Sequence, residues 1–150
     1  MFVICVIFSS GPAAAATVAR ADLPKHLQSA VPSEYGLWFP AVPSLPGSPF
    51  YLESYIIIAN FYNDNTTVSV MATAYSDATD NQLTTTEQYS LGPFEKLVLT
   101  LNDFDFSDTI ADIWITSEDA PIFGATVLLM DSITYEVMTT IPHIDIQIEP

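Results

Sequence analysis

Positive charge is nearly missing from this sequence. Arg20, Lys25 and Lys96 are the only basic residues against eighteen acidic ones, a formal net charge of −15 over 150 residues. A surface of that sign repels phosphate backbones and anionic lipid headgroups, which argues against nucleic-acid binding and against membrane binding through basic patches. Cysteine is equally scarce: with Cys5 alone, no disulfide, CxxC redox pair or cysteine zinc site can form within one chain. The two histidines, His26 and His143, make no HExxH motif, and GxSxG, Walker and GxGxxG spacings are missing as well. A histidine relay would have to recruit His143, which directly follows Pro142, and a solvent-facing structural role is the simpler reading there. Catalysis is not expected on these grounds. Polar residues interrupt every long apolar run, so nothing reaches the ~20 residues of a membrane-spanning helix.

What remains is a chain that is 49% hydrophobic and long enough for one domain with its own core. Its apolar residues alternate. Residues 53–60 (ESYIIIAN) are a strongly β-prone run, Asn63, Asp64, Asn65 and Thr66 form a turn, and residues 68–75 resume with Val68, Val70, Ala72 and Ala74 on one face, which predicts a hairpin. Residues 83–89 read as a Thr-rich strand at an edge, and Gly92-Pro93 as a turn. Leu97, Leu99 and Leu101 share a face, as do Ala111, Ile113 and Ile115, with Asp112, Trp114 and Thr116 opposite. Residues 122–130 are apolar throughout, the pattern of a strand buried on both faces, and residues 135–141 and 144–149 complete the set. Seven or more short strands without a convincing helix predict an all-β fold, a single antiparallel β-sandwich of immunoglobulin-like or jelly-roll-like kind with extended N- and C-terminal segments. A closed barrel is the alternative.

The expected organisation has three parts. Residues 1–21 are an apolar leader that ends in Ala19-Arg20-Ala21, which reads as a secretory signal or as an interaction strand. Residues 22–50 are a Pro-rich arm or linker with a first edge strand, since Pro32, Pro40, Pro43, Pro46 and Pro49 argue against a central strand. Residues 51–150 are the sandwich core. Within the arm, Trp38 and Phe39 read as core plugs.

The order of segments 37–42 (LWFPAV), 53–60, the Gly92-Pro93 turn, 97–101 and 111–125 (ADIWITSEDAPIFGA) resembles a β-sandwich module of secreted bacterial proteins. In that module a YFPH segment precedes a T-x-L-x-L-x-N strand, and a V-x-S-D-x-P-V-x-G strand pair closes the unit. The resemblance spans residues 36–141 and departs from the pattern in the long proline insert and at Asn60-Phe61-Tyr62. It implies a non-catalytic, extracellular module of a type often repeated in tandem, held here in one copy.

Four sets of residues are candidates for function. Asn102, Asp103, Asp105 and Asp108, with Ser107, offer oxygen ligands that calcium could use, and Asp77, Asp80 and Asn81 form a second such set. Solvated turns are the favoured reading of both, since Asp and Asn suit turns for conformational reasons alone. Phe2, Val3, Ile4, Val6, Ile7 and Phe8 at one end, and Ile144, Ile146 and Ile148 at the other, form strand-like tails that could complete a neighbour's sheet. The C-terminal tail could equally pair within its own sheet. Asn65 heads an N-x-T glycosylation sequon on a turn. Trp38, Trp114, Tyr62 and Tyr75 could present stacking surfaces to a glycan. These sets lead to two expectations: a secreted structural protein that self-associates into a homo-oligomer or polymer such as a filament, sheath or surface layer, or an adhesion module for a glycan or cell-surface partner.

Overall fold

A computed structural model describes residues 16–19, 35–76, 81–117 and 123–149. Ten strands build two sheets: β1 (Ala16–Ala19), β2 (Tyr35–Ser44), β3 (Leu52–Asn60), β4 (Thr66–Ser76), β5 (Asn81–Leu91), β6 (Lys96–Leu99), β7 (Thr109–Ser117), β8 (Phe123–Asp131), β9 (Val137–Ile141) and β10 (Ile144–Glu149). One sheet has six strands in the order β1-β10-β2-β7-β4-β5, and the other has four in the order β6-β3-β8-β9. All pairs are antiparallel except β1 with β10. No α-helix occurs among the described residues. The two sheets pack face to face, so the chain is an all-β sandwich rather than a closed barrel.

Alternation fixes which face each strand turns inward. Phe39 and Val42 of β2, Ile56 and Ile58 of β3, Val68 and Val70 of β4, and Ile113 and Ile115 of β7 are all fully buried between the sheets. Removing each such side chain from water contributes about 1.5–3 kcal/mol. A 3-10 turn, Leu101–Phe104, closes one end by inserting Leu101 and Phe104, also fully buried. Thr100 and Asp103 hold it in a capping box, with the Asp103 carboxylate accepting the Thr100 N–H at 2.7 Å.

Three expectations are corrected here. β3 and β4 are not a hairpin, because β3 pairs with β6 and β8 while β4 pairs with β5 and β7 in the other sheet. Ile56 and Ile58 of β3 and Val68 and Val70 of β4 need burial, and a connection that crosses the sandwich lets them face each other. β2 is not an edge strand or arm: Gly36, Leu37 and Trp38 are flanked by β10 on one side and β7 on the other. The prolines are accommodated because β10 pairs only as far as Trp38, and Pro40 falls within the bulge between Phe39 and Val42. A boundary at residue 50 therefore cuts through the sandwich, since β2 supplies core residues. β8, finally, is not buried on both faces. Val127 is fully buried, but Gly124, Ala125, Thr126, Leu128, Leu129 and Met130 are only half-buried.

Candidate functional site

The structure separates the residues that sequence singled out. Asn102 and Asp103 lie in the 3-10 turn, where the Asp103 carboxylate also accepts the Thr100 hydroxyl at 3.1 Å. Asp105 terminates that turn in the left-handed conformation, φ 61°, and Asp108 is left-handed as well, φ 50°. Their placement follows turn chemistry, since Asp tolerates this conformation better than most residues. Among the described residues no three His, Cys, Asp or Glu side chains converge as a metal site requires. Of the second proposed set, Asp77 and Asp80 lie outside the described residues, and Asn81 opens β5.

Asp105 and Asp108 instead rim an open groove of about 810 Å³ beside Asp112, with Leu45, Ala74, Leu83 and Ile110 among its walls. The Asp112 carboxylate accepts the Ala41 N–H at 3.0 Å, which fixes the left-handed Ala41 of the β2 bulge.

The tryptophans pair with each other. Trp38 and Trp114 stand opposite in β2 and β7, on the face turned away from the partner sheet, with ring centroids 5.4 Å apart and planes 16° from parallel. Trp114 is 6% exposed and its other neighbour across the ladder, Met71, is 3% exposed. Neither ring of a pair so placed is the open stacking platform that the sequence suggests for Trp38 and Trp114, and Trp38, on this outward face, is not a plug of the core between the sheets. The side chain of Tyr75 lies outside the described residues.

Open aromatics occur at both ends of the four-stranded sheet: Phe50 in the β2–β3 connection and Tyr135 in the β8–β9 turn at one, and Phe61 and Tyr62 in the β3–β4 connection with Phe94 in the β5–β6 turn at the other. Buried Asn60 organises the second group. Its side-chain amide donates to the carbonyl oxygens of Asp64 at 2.7 Å and Gly92 at 2.9 Å, and its oxygen accepts the Tyr62 N–H at 3.0 Å. The Phe94 N–H donates to the Tyr62 carbonyl at 3.2 Å, so the two turns move as one. Asn65 is exposed in the same connection.

The tails also part company. Residues 2–8 lie outside the described residues. β10 is paired on both sides within its own chain, Ile144 to Gln147 with β2 and Ile146 to Glu149 with β1, so Ile144, Ile146 and Ile148 belong to the sheet and not to a free strand. The side chains of Ile146 and Ile148 lie outside the described residues. His143, just before β10, is exposed, with Nε2 3.5 Å from the Asp145 carboxylate.

Among the described residues four strands lie at sheet edges: β1 and β6, of four residues each, and the longer β9 and β5. β9 flanks the four-stranded sheet, with Val137, Met138, Thr139 and Thr140 exposed. β5 flanks the six-stranded sheet as an eleven-residue strand paired along its whole length with β4, and it contains no proline, glycine or lysine. Its one charge, Glu87, is opposite Val70 and so lies on the inward side. Sequence reasoning placed β5 at an edge through its threonines, but nothing in the composition revealed its uninterrupted length.

No family model matches this chain, and no curated protein is detectably similar to it. The crystal structure of Thermotoga maritima 1070 is similar over 77% of this chain and 92% of that one, with a TM-score of 0.49 and 11% sequence identity. No helix among the described residues is long and apolar enough to cross a membrane.

Proposed function

We propose that the chain is a non-catalytic structural subunit of an extracellular filament, sheath or surface layer, whose copies join by adding a strand to an open sheet edge. The observation that carries this reading is β5. An edge strand presents a row of unpaired backbone donors and acceptors, and proteins that stay monomeric usually interrupt such a row with proline, lysine, a bulge or a short length. β5 has none of these, its one protective feature being the inward-side charge of Glu87, and at ~3.4 Å per residue it offers an edge roughly 37 Å long. Backbone hydrogen bonding gives such a joint affinity that is independent of surface charge, which suits a chain that otherwise repels its own copies.

In this reading the incoming strand is the apolar segment 2–8 of a neighbour. Pairing two β5 strands antiparallel would bring Glu87 close to its own counterpart, whereas residues 2–8 carry no charge. β10, already paired on both sides, is not available.

Thr85→Pro and Thr86→Pro test the edge. Neighbouring positions on a strand point their N–H groups to opposite sides, so one substitution removes a bond to β4 and lowers the unfolding temperature, while the other removes only an outward donor. The second variant is expected to fold normally and to abolish polymers in negative-stain images. Polymers that persist in both variants would overturn the proposal.

Phe61, Tyr62 and Phe94, exposed 63%, 51% and 66%, favour a second reading, an adhesion module that stacks a sugar or partner on that end of the sandwich. It requires a monomer whose unfolding temperature rises with a glycan, and Tyr62→Ala to remove the rise.

A further inference from the structure

The outward face of the four-stranded sheet is apolar and, among the described residues, no further layer packs on it. Register and burial place Tyr55 and Ile57 of β3, Leu128 and Met130 of β8, and Val98 of β6 on this face, away from Ile56, Ile58 and Val127. Val98 is 56% exposed and the other four are half-buried. The corresponding face of the six-stranded sheet differs, because Trp114 and Met71 are buried there beside Trp38.

In a chain of net charge −15, the strand residues turned to this face include one acid, Glu53, and one base, Lys96, so the face is neutral. Two copies meet little net repulsion across it, and depletion of charge at an apolar centre is the composition of a protein interface.

We infer that this face is the contact between two copies of the chain, related by a two-fold axis that lies between the stacked sheets and runs across the strands. The positions of Glu53 and Lys96 select that axis. Lys96 is level with Ala59 in the β3–β6 register, and Glu53 lies six residues earlier along β3, roughly 20 Å away. Reversing the strand direction about the midpoint brings each lysine level with the glutamate of the other copy, one strand spacing of about 4.8 Å to the side, a gap that its flexible four-carbon stem can bridge. Symmetry makes two such pairs. The same operation puts Ile57 over Tyr55 of the second copy, and Met130 over the place where Phe61 of the second copy covers Gly124. Four strands make a face of roughly 20 by 30 Å, so the pair buries on the order of 1,000 Å², the lower range for a specific interface.

This contact is independent of the β5 joint. One stacks two sheets, the other lengthens one, and the experiment separates them. In the β5 proline variant that folds normally, equilibrium sedimentation at about 100 µM, a concentration suited to weak association, is expected to show a dimer. Val98→Asp, at an exposed position, gives a monomer with an unchanged unfolding temperature. Lys96→Glu and Glu53→Lys each weaken the dimer on the order of tenfold, and the double reversal restores it. A monomeric starting protein, a dimer that survives Val98→Asp, or a double variant no tighter than the singles overturns the inference. None of those results bears on whether β5 accepts a strand.

Discussion

Asn60 ends a strand of the four-stranded sheet and Gly92 follows a strand of the six-stranded one, and the side-chain amide of the first donates to the carbonyl of the second at 2.9 Å. One buried residue thus ties two turns and two sheets together. Because its donors and acceptor are all engaged and it is 1% exposed, truncation leaves backbone groups without partners. Asn60→Ala is expected to lower stability by about 3 kcal/mol, read by urea denaturation. It should also release Phe61, Tyr62 and Phe94 from their shared geometry, visible as faster amide exchange in both turns.

Ser54 gives the opposite result. It is fully buried on the inward face of β3, and its hydroxyl has no hydrogen-bond partner. An unsatisfied buried hydroxyl costs about 1–3 kcal/mol in lost hydration, so Ser54→Ala should raise the stability by roughly 1 kcal/mol. A lower denaturation midpoint in Ser54→Ala would show that the hydroxyl is satisfied after all.

The β8–β9 turn holds an acid-sensitive carboxylate. The Asp131 carboxylate accepts the N–H groups of Ile133 and Thr134, each at 2.8 Å, and these bonds, that from Thr134 foremost, hold its pKa below the ordinary value of 3.8. The folded pKa is the lower one, so the stabilisation is present above the unfolded pKa and is lost as the pH falls through the folded value. Below about pH 4 the turn should loosen. Asp131→Asn should remove that part of the acid response, as measured by amide protection at residues 133 and 134.

At the alkaline end, Tyr55 titrates late. Partial burial raises its pKa above 10.0, reinforced by the Glu53 charge and by the hydroxyl's bond to Glu53 Oε2 at 3.3 Å. Glu53→Gln should bring it down towards the ordinary value in a spectrophotometric titration. The sign for stability is reversed from that of Asp131: the raised folded pKa means stability is lost as the pH climbs beyond the unfolded value.

Faces were legible from sequence, and pairings were not. Alternation identified the inward sides of β4, β6 and β7 because burial follows the two-residue period of a strand. It could not assign β3 and β4 to different sheets, since a polar turn between two amphipathic strands looks the same whether it folds back or crosses the sandwich. Pro40 and Pro43 pointed to an edge because the missing N–H is visible in sequence, while the bulge at Phe39/Val42 and the short reach of β10 are tertiary facts. The even hydrophobicity of β8 signalled two apolar faces correctly, but whether a second face is covered depends on partners outside the strand. Parity set Trp114 opposite Ala111, Ile113 and Ile115 and left its orientation open. Its burial comes with Trp38, seventy-six positions away, lying directly opposite it.

Hydrogen–deuterium exchange of β5 in assembled and dispersed protein tests the strand-joint reading most directly. Strand addition requires the outward amides of alternate residues between 81 and 91 to become protected on assembly, while those already bonded to β4 change little. Polymers in which all β5 amides exchange as fast as in the monomer would contradict the account.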